Sequence, residues 1–181
     1  YAKEALVKYG SGGGSTVSGA VACSTDGSGA VVGEYSLPVE QKWYGQDRSM
    51  FTKPHHDYPA ADIPVPTGTK IFAVGKGKVT SAVQSGYGGG AGTHVFITDG
   101  NVVYGYFHGI PGSLKVRVGE QVEPGQLLML SDNTGHSFGA HLHFQIEVNG
   151  AKHCPQPLLD AIGQRKPPPA PTELPTSGCI G

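Results

Sequence analysis

The run from His141 to Val148 contains the most informative arrangement of reactive side chains in the sequence. Apolar residues alternate with polar ones, so that one face would carry Leu142, Phe144, Ile146 and Val148 and the other His141, His143, Gln145 and Glu147. A strict period of two is typical of a half-buried β-strand. Its two imidazoles would then project from the same face, roughly 7 Å apart. Such a pair also occurs on strands that hold no site, so its meaning depends on what else could join it.

Other candidate ligands lie upstream. His55, His56, Asp57 and Asp62 fall within nine residues, and His108 follows an apolar run. Imidazole nitrogens and carboxylate oxygens are suitable zinc ligands, and a catalytic zinc site has three protein ligands with one position left open. A His-Asp-His set would leave further imidazoles for proton transfer, for which their unperturbed pKa near 6.5 is suited.

These side chains must be positioned by a series of short strands. We predict strands at Lys70–Val74, Lys78–Val83, His94–Asp99, Val102–Phe107, Leu114–Val118, Leu127–Ser131 and His141–Val148. Asp99-Gly100 between two of these runs is a strong hairpin signal. Short strands with glycine turns predict an all-β, antiparallel barrel or sandwich. One short helix is expected at Pro157–Arg165, followed by an extended proline-rich segment.

Composition excludes several classes of protein. The chain has 181 residues, 29 of them glycine and 14 proline, and only 15% are charged. An all-α bundle is therefore disfavoured, while the length suffices for one domain with a real core. The net charge of −1 gives no basic surface for nucleic acid or anionic lipid. Since apolar runs fall far short of the ~20 residues that span a bilayer, we expect no membrane partner. We also expect a monomer without nucleic-acid partners.

We divide the chain into three parts. Residues 1–35 would form a helix end (1–9) followed by a Gly/Ser-rich linker, 36–152 the main domain, and 153–181 a proline-rich extension. The start at Tyr1 rather than Met indicates a processed form or a fragment whose export signal was removed. Three cysteines allow one disulfide, either Cys154–Cys179, which would pin the tail to the domain, or a pair that includes Cys23.

Four segments occur in an order that resembles a known family. They are His55 to Asp62 followed by IPVPTGT (63–69); VGKGKV (74–79); YFH (106–108); and VRVGEQVEPGQ (116–126) with NTG (133–135) and HLHF (141–144). Together they resemble the lysostaphin/LytM-like zinc endopeptidases, which cut cross-bridges and stem peptides of peptidoglycan. The resemblance covers about His55 to Glu147.

The resemblance implies a zinc-dependent peptidoglycan endopeptidase acting outside the cytoplasm. It assigns the metal to His56, Asp62 and His143, and makes His108 and His141 the catalytic imidazoles. His141 would be the general base, and His108 would stabilise the oxyanion or pass the proton to the leaving amine, although these roles could be exchanged. Which peptide bond is cut stays open.

The spacing before Asp62 departs from the family pattern. The family usually has three residues between the first histidine and the aspartate, whereas five separate His56 from Asp62 and six separate His55 from it. We prefer His56 because the shorter loop costs less to order. His55 would then support a ligand or face the substrate, and Asp57 could orient a ligand histidine from outside.

Several features have competing interpretations. Residues 86–90 (GYGGG) would line the groove or form a plain turn, and Tyr58 and Tyr106 would line the cleft or pack structurally. GHSFG (135–139) matches a serine-hydrolase elbow but precedes a strand rather than a helix. Cys154 beside Pro155 is better interpreted as structural than as a nucleophile. Residues 118–126 resemble carrier domains, yet residues 131–137 lack the modifiable lysine.

A non-catalytic cell-wall-binding or hydrolase-activating relative is the remaining alternative. It would be expected to lack ligands, whereas every ligand and catalytic position here has a candidate.

Overall fold

A computed structural model describes residues 31–86 and 90–179. The predicted helix end, the linker up to residue 30 and Cys23 lie outside the described residues, as do the three central residues of the 86–90 loop, whereas residues 31–35 of the predicted linker include β1 and the start of β2. The strands are β1 Val31–Val32, β2 Tyr35–Ser36, β3 Ala61–Ile63, β4 Lys70–Phe72, β5 Gly77–Val83, β6 Thr93–Asp99, β7 Val102–Gly109, β8 Gln121–Val122, β9 Leu127–Leu130, β10 Leu142–Val148 and β11 Ala151–His153. The helices are α1 Gln41–Gln46, α2 Ser49–Thr52 and α3 Gln156–Gly163, with a 3₁₀ turn at Pro171–Glu173.

The main sheet is antiparallel and has the order β11-β10-β7-β6-β5-β8. The first half of β10 also pairs with β3, and its second half pairs with β11. The predicted all-β antiparallel class is thereby confirmed. Asp99 and Val102 are paired across the hairpin that Asp99-Gly100 predicted, and Gly100 adopts a φ of 59°.

The period of two in β10 separates core from site. Leu142, Phe144 and Ile146 are fully buried in the hydrophobic core. The polar face of the same strand carries His143, Gln145 and Glu147. Hydrophobic burial of one face therefore fixes which residues the opposite face presents, because a slip of one residue would exchange the two faces.

The predicted strand at Leu114–Val118 is wrong. Lys115 N–H donates to the Leu128 carbonyl, but the chain then turns at Arg117–Glu120, where Gly119 has a φ of 95°. Val116 is buried and Val118 is exposed, so the apolar residues that suggested a strand do not share one environment.

The C-terminal segment packs into the same core as the sheet. Leu158, Leu159 and Ile162 of α3 are fully buried. Cys154, just before α3, and Cys179, beyond it, form a disulfide, the first of the alternatives that the sequence allowed. The boundary expected between 152 and 153 remains a prediction, although α3 shares the core of the sheet. Within the described residues, no helix combines the length and apolar character needed to cross a bilayer.

Candidate metal and catalytic site

Asp62 and His143 lie opposite each other on β3 and β10. Asp62 Oδ1 is 2.8 Å from His143 Nδ1. Because β10 also pairs with β7, the backbone of His143 is held between Asp62 and Phe107. Strand pairing thus positions these two candidate ligands more firmly than a loop could.

The loop 53–60 supplies the third ligand candidate, and it is His55. The His55 Nε2 atom lies 3.4 Å from Asp62 Oδ2, and only 7% of its side chain is exposed. His56 points elsewhere: its Nε2 atom contacts Asp57 at 2.9 Å, and 75% of its side chain is exposed. The geometry therefore differs from our preference for His56, because loop length alone does not determine which way adjacent side chains point.

The loop 53–60 is clamped at both ends by one side chain. The Gln156 amide at the start of α3 donates to the carbonyls of Lys53 and Ala60, at 3.2 and 2.7 Å. Gln156 is fully buried. The C-terminal helix thereby helps to position His55, which nothing in the sequence pattern had indicated.

His141 and His108 lie beside the ligand candidates with similar hydrogen bonding. His141 Nδ1 donates to the Gly139 carbonyl at 2.7 Å, and its Nε2 is 3.5 Å from Asp62 Oδ1. His108 Nδ1 donates to the Thr134 carbonyl at 2.6 Å. Because a carbonyl can only accept, each neutral imidazole carries its proton on Nδ1 and leaves Nε2 as a base. The two rings are 4.8 Å apart.

Burial sets the charge of the site. It lowers the pKa of His108 to about 4, against the smaller opposing effect of its hydrogen bond to Thr134. His55 likewise has a lowered pKa, because burial outweighs the nearby Asp62. Burial opposes ionisation of Asp62, but its hydrogen bond with His143 and the surrounding histidines hold its pKa below the ordinary value. At neutral pH the site thus combines a carboxylate with neutral imidazoles at His55 and His108.

The five side chains face a cleft of about 1020 Å³. Its rim includes Tyr58 and Phe138, two of the four large hydrophobic side chains that are exposed among the described residues. Phe138 is 95% exposed. Exposed aromatic groups at the mouth of a cleft are suited to contact a ligand chain that passes through it.

The donor set fits a zinc ion. In His55, Asp62 and His143 the candidate ligand atoms all lie within 4.8 Å of one another. A tetrahedral site with bonds near 2.0–2.1 Å has ligand atoms about 3.3 Å apart. His143 Nδ1 lies 2.8 Å from Asp62 Oδ1 and His55 Nε2 lies 3.4 Å from Asp62 Oδ2, so each imidazole nitrogen is near that distance from one oxygen of the carboxylate.

The two tyrosines differ in their surroundings. Tyr58 lines the cleft, with its hydroxyl 3.3 Å from His143 Nε2. Tyr106 is fully buried, and its hydroxyl accepts a hydrogen bond from Val74 N–H.

Gly90 also lines the cleft. At the described ends of the 86–90 loop, the carbonyls of Gly86 and Gly90 accept hydrogen bonds from the N–H groups of Gly135 and His136.

Two bacterial proteins are similar to more than half of this chain. Lysostaphin of Staphylococcus staphylolyticus is 35% identical over 115 residues, which cover 61% of this chain and 24% of that protein. Peptidoglycan DD-endopeptidase ShyA of Vibrio cholerae is 33% identical over 122 residues, covering 62% of this chain and 27% of that protein. The chain therefore matches about a quarter of the length of these relatives.

Solved structures agree in fold. The antimicrobial peptidase lysostaphin from Staphylococcus simulans is 29% identical with a TM-score of 0.52, over 71% of this chain and 57% of that one. Its catalytic domain alone is 26% identical with a TM-score of 0.52, over 67% of this chain and 98% of that one. The model of peptidase family M23 matches residues 56–155. Because this match covers more than half of the chain and includes Asp62, His108, His141 and His143, the chain belongs to peptidase family M23.

Proposed function

We propose that this chain is a zinc-dependent endopeptidase that hydrolyses peptide bonds in bacterial peptidoglycan. One observation carries the proposal: His55, Asp62 and His143 converge within 4.8 Å, and two further imidazoles stand beside them in one cleft. The peptidoglycan substrate is inferred from the family and from relatives such as the endopeptidase ShyA.

His55, Asp62 and His143 would hold the ion. A zinc ion there would lower the pKa of a coordinated water to about 7 and polarise the scissile carbonyl. This assignment replaces His56 with His55. His56 would remain a solvent-facing residue at the rim.

His141 is the better placed general base. Its Nδ1 proton is committed to the Gly139 carbonyl, so Nε2 can accept the proton of the attacking water. Burial lowers the pKa of His108, so this imidazole is neutral at rest. It would take up a proton only when negative charge develops beside it, and could then stabilise the oxyanion or protonate the leaving amine.

A site of action outside the cytoplasm belongs to the same proposal. Disulfides persist in oxidising compartments, and Cys154 and Cys179 are paired. We further propose that the chain acts as a monomer. A non-catalytic role in wall binding or hydrolase activation is less consistent with the presence of both candidate ligands and candidate catalytic imidazoles.

Digestion of purified cell walls tests the proposal. Walls with glycine cross-bridges and walls with direct cross-links are incubated with the protein, and the released fragments are identified by mass spectrometry. We expect cleavage that a chelator abolishes and added zinc restores, with His141→Ala as the inactive control. A zinc-loaded, folded protein that releases no fragment from any wall type would contradict the proposed activity.

A further inference from the structure

The side chain of His143 is contacted by hydrogen-bond acceptors at both ring nitrogens. Asp62 Oδ1 lies 2.8 Å from Nδ1, and Gln145 Oε1 lies 3.3 Å from Nε2. A neutral imidazole carries only one proton, so it can donate to only one of these two oxygens. In the neutral ring the other nitrogen faces its acceptor with a lone pair, an arrangement that a metal ion bound between the two atoms would satisfy.

The orientation of the Gln145 amide is fixed by Glu147. Gln145 Nε2 donates to Glu147 Oε1 at 3.0 Å, and a carboxylate can only accept. Lys152 Nζ, a cationic donor, lies 3.8 Å from the same carboxylate oxygen. The amide oxygen of Gln145 is therefore the atom that faces His143, and it requires a proton on Nε2.

Gln145 is held firmly enough to impose this requirement. It is buried and pairs with Gly105 on β7. A Cβ atom at Gly105 would lie 3.0 Å from the Gln145 side chain and 2.9 Å from the Phe96 ring. Because glycine has no side chain, position 105 leaves room for Gln145 beside Phe96. The Tyr58 hydroxyl also approaches Nε2 but can donate or accept, so it does not select a tautomer.

We propose that Gln145, oriented by Glu147, selects the tautomer of His143 in which Nε2 carries the proton and Nδ1 is free to bind the metal. Gln145 is then a positioning residue, acting through His143. The inference rests on the proposed zinc site, and it adds the nitrogen that binds and the two side chains that determine it. Partners of this kind orient metal-binding histidines and raise their basicity.

Zinc affinity is the first test. Affinity is measured for the whole protein by competition with a chelator of known strength, using zinc alone as the probe. Gln145→Leu removes the acceptor at similar size, and we expect zinc to bind about 10–100-fold more weakly. The double variant Gln145→Glu, Glu147→Gln keeps an acceptor at 145 and a donor at 147, so it should stay close to wild type, while Gln121→Leu at an exposed position of β8 is the matched control.

Glu147→Gln tests the orientation of the amide. An amide at 147 can donate as well as accept, so Gln145 can turn over and no longer requires a proton on His143 Nε2. We expect a zinc affinity between those of wild type and Gln145→Leu. An affinity equal to that of wild type would overturn the role of Glu147.

The ring nitrogens of His143 give a readout that a merely structural role would not change. In ¹⁵N NMR spectra of the zinc-loaded wild type, Nε2 should be protonated and Nδ1 bound to the ion. A proton on Nδ1 in that state would overturn the proposal, and this measurement decides the question even if Gln145→Leu does not fold. A wild type that binds no zinc would instead overturn the proposed function, whereas equal zinc affinity in wild type and folded Gln145→Leu would overturn only this inference.

Discussion

Asp62 and His143 are 81 residues apart in the sequence but directly opposite on the β3–β10 ladder, with a carboxylate oxygen 2.8 Å from an imidazole nitrogen. The sheet itself therefore brings together two of the three proposed ligands. Only the position of His55 depends on a loop. Each proposed ligand can be tested by its own substitution.

Replacing His55 with alanine should abolish tight zinc binding. One of three protein ligands is lost, so we expect a larger decrease than the ~10–100-fold that changes around the ligands typically cause. His56→Ala is the matched control and should keep nearly full affinity, because its side chain is mostly exposed and bonded to Asp57. Loss of zinc from His56→Ala but not from His55→Ala would restore the assignment based on loop length.

His141→Ala should keep zinc and lose turnover. The proposed base is removed while the three ligands remain, so we expect kcat/KM to fall by about 10²–10⁴-fold. Elemental analysis measures the metal content, and fragment release from cell walls measures activity. A metal-free His141→Ala protein would show that His141 belongs to the ligand set.

Gln156→Leu should loosen the loop 53–60. The substitution leaves the Lys53 and Ala60 carbonyls without this donor, and we expect a loss of about 1–3 kcal/mol in the free energy of unfolding. Urea denaturation measures stability, and hydrogen exchange at residues 53–60 should increase. Unchanged exchange there, in a destabilised protein, would indicate that Gln156 supports only the core.

Asp160 should make stability sensitive to acid. Its hydrogen bonds with Arg48 outweigh burial and lower its pKa from 3.8 to about 2. A carboxyl group with a depressed pKa in the folded state contributes stability above the pKa of the unfolded chain, and this contribution is lost as the pH falls from about 3.8 towards 2.

Comparison with Asp160→Asn isolates this effect. Asp62 contributes in the same direction in both proteins, so only the difference between them reports on Asp160. At about pH 6 the urea midpoint of the wild type should exceed that of the variant, and at about pH 3 this difference between the two proteins should be smaller. A difference that is the same at both pH values would mean that the charge of Asp160 does not matter.

The disulfide should stabilise the fold. Cys154 and Cys179 are separated by 25 residues, and the chain-entropy model gives about 3–4 kcal/mol for closing a loop of this size. Cys179→Ser should therefore lower the Tm, whereas Cys23→Ser should not. Equal melting temperatures for wild type and Cys179→Ser would show that the disulfide adds nothing to the stability of this fold.

Local patterns in the sequence predicted most of the main sheet. The alternation in β10 and the Asp99-Gly100 turn are set by neighbouring residues, so a single sequence reveals them. β3 was not predicted because it has only three residues and lies between Pro59 and Pro64. Its pairing with β10 is long-range, and no local signal records it.

The choice between His55 and His56 shows a second limit. Both are imidazoles in the same loop, and either one can reach Asp62 by sequence spacing. Their side chains point in different directions within a loop whose two ends are bonded to Gln156, about 100 residues later in the chain. Loop length does not determine which of two adjacent side chains faces Asp62, so the ligand assignment stays a proposal.

The bridge made by Gln156 also has a consequence for the extent of the functional unit. The match to peptidase family M23 ends at residue 155, one position before the side chain that ties Lys53 to Ala60. A protein truncated at the family boundary would retain Asp62, His108, His141 and His143 and would still lack the anchor for His55. Minimal catalytic fragments of this chain should therefore extend through α3.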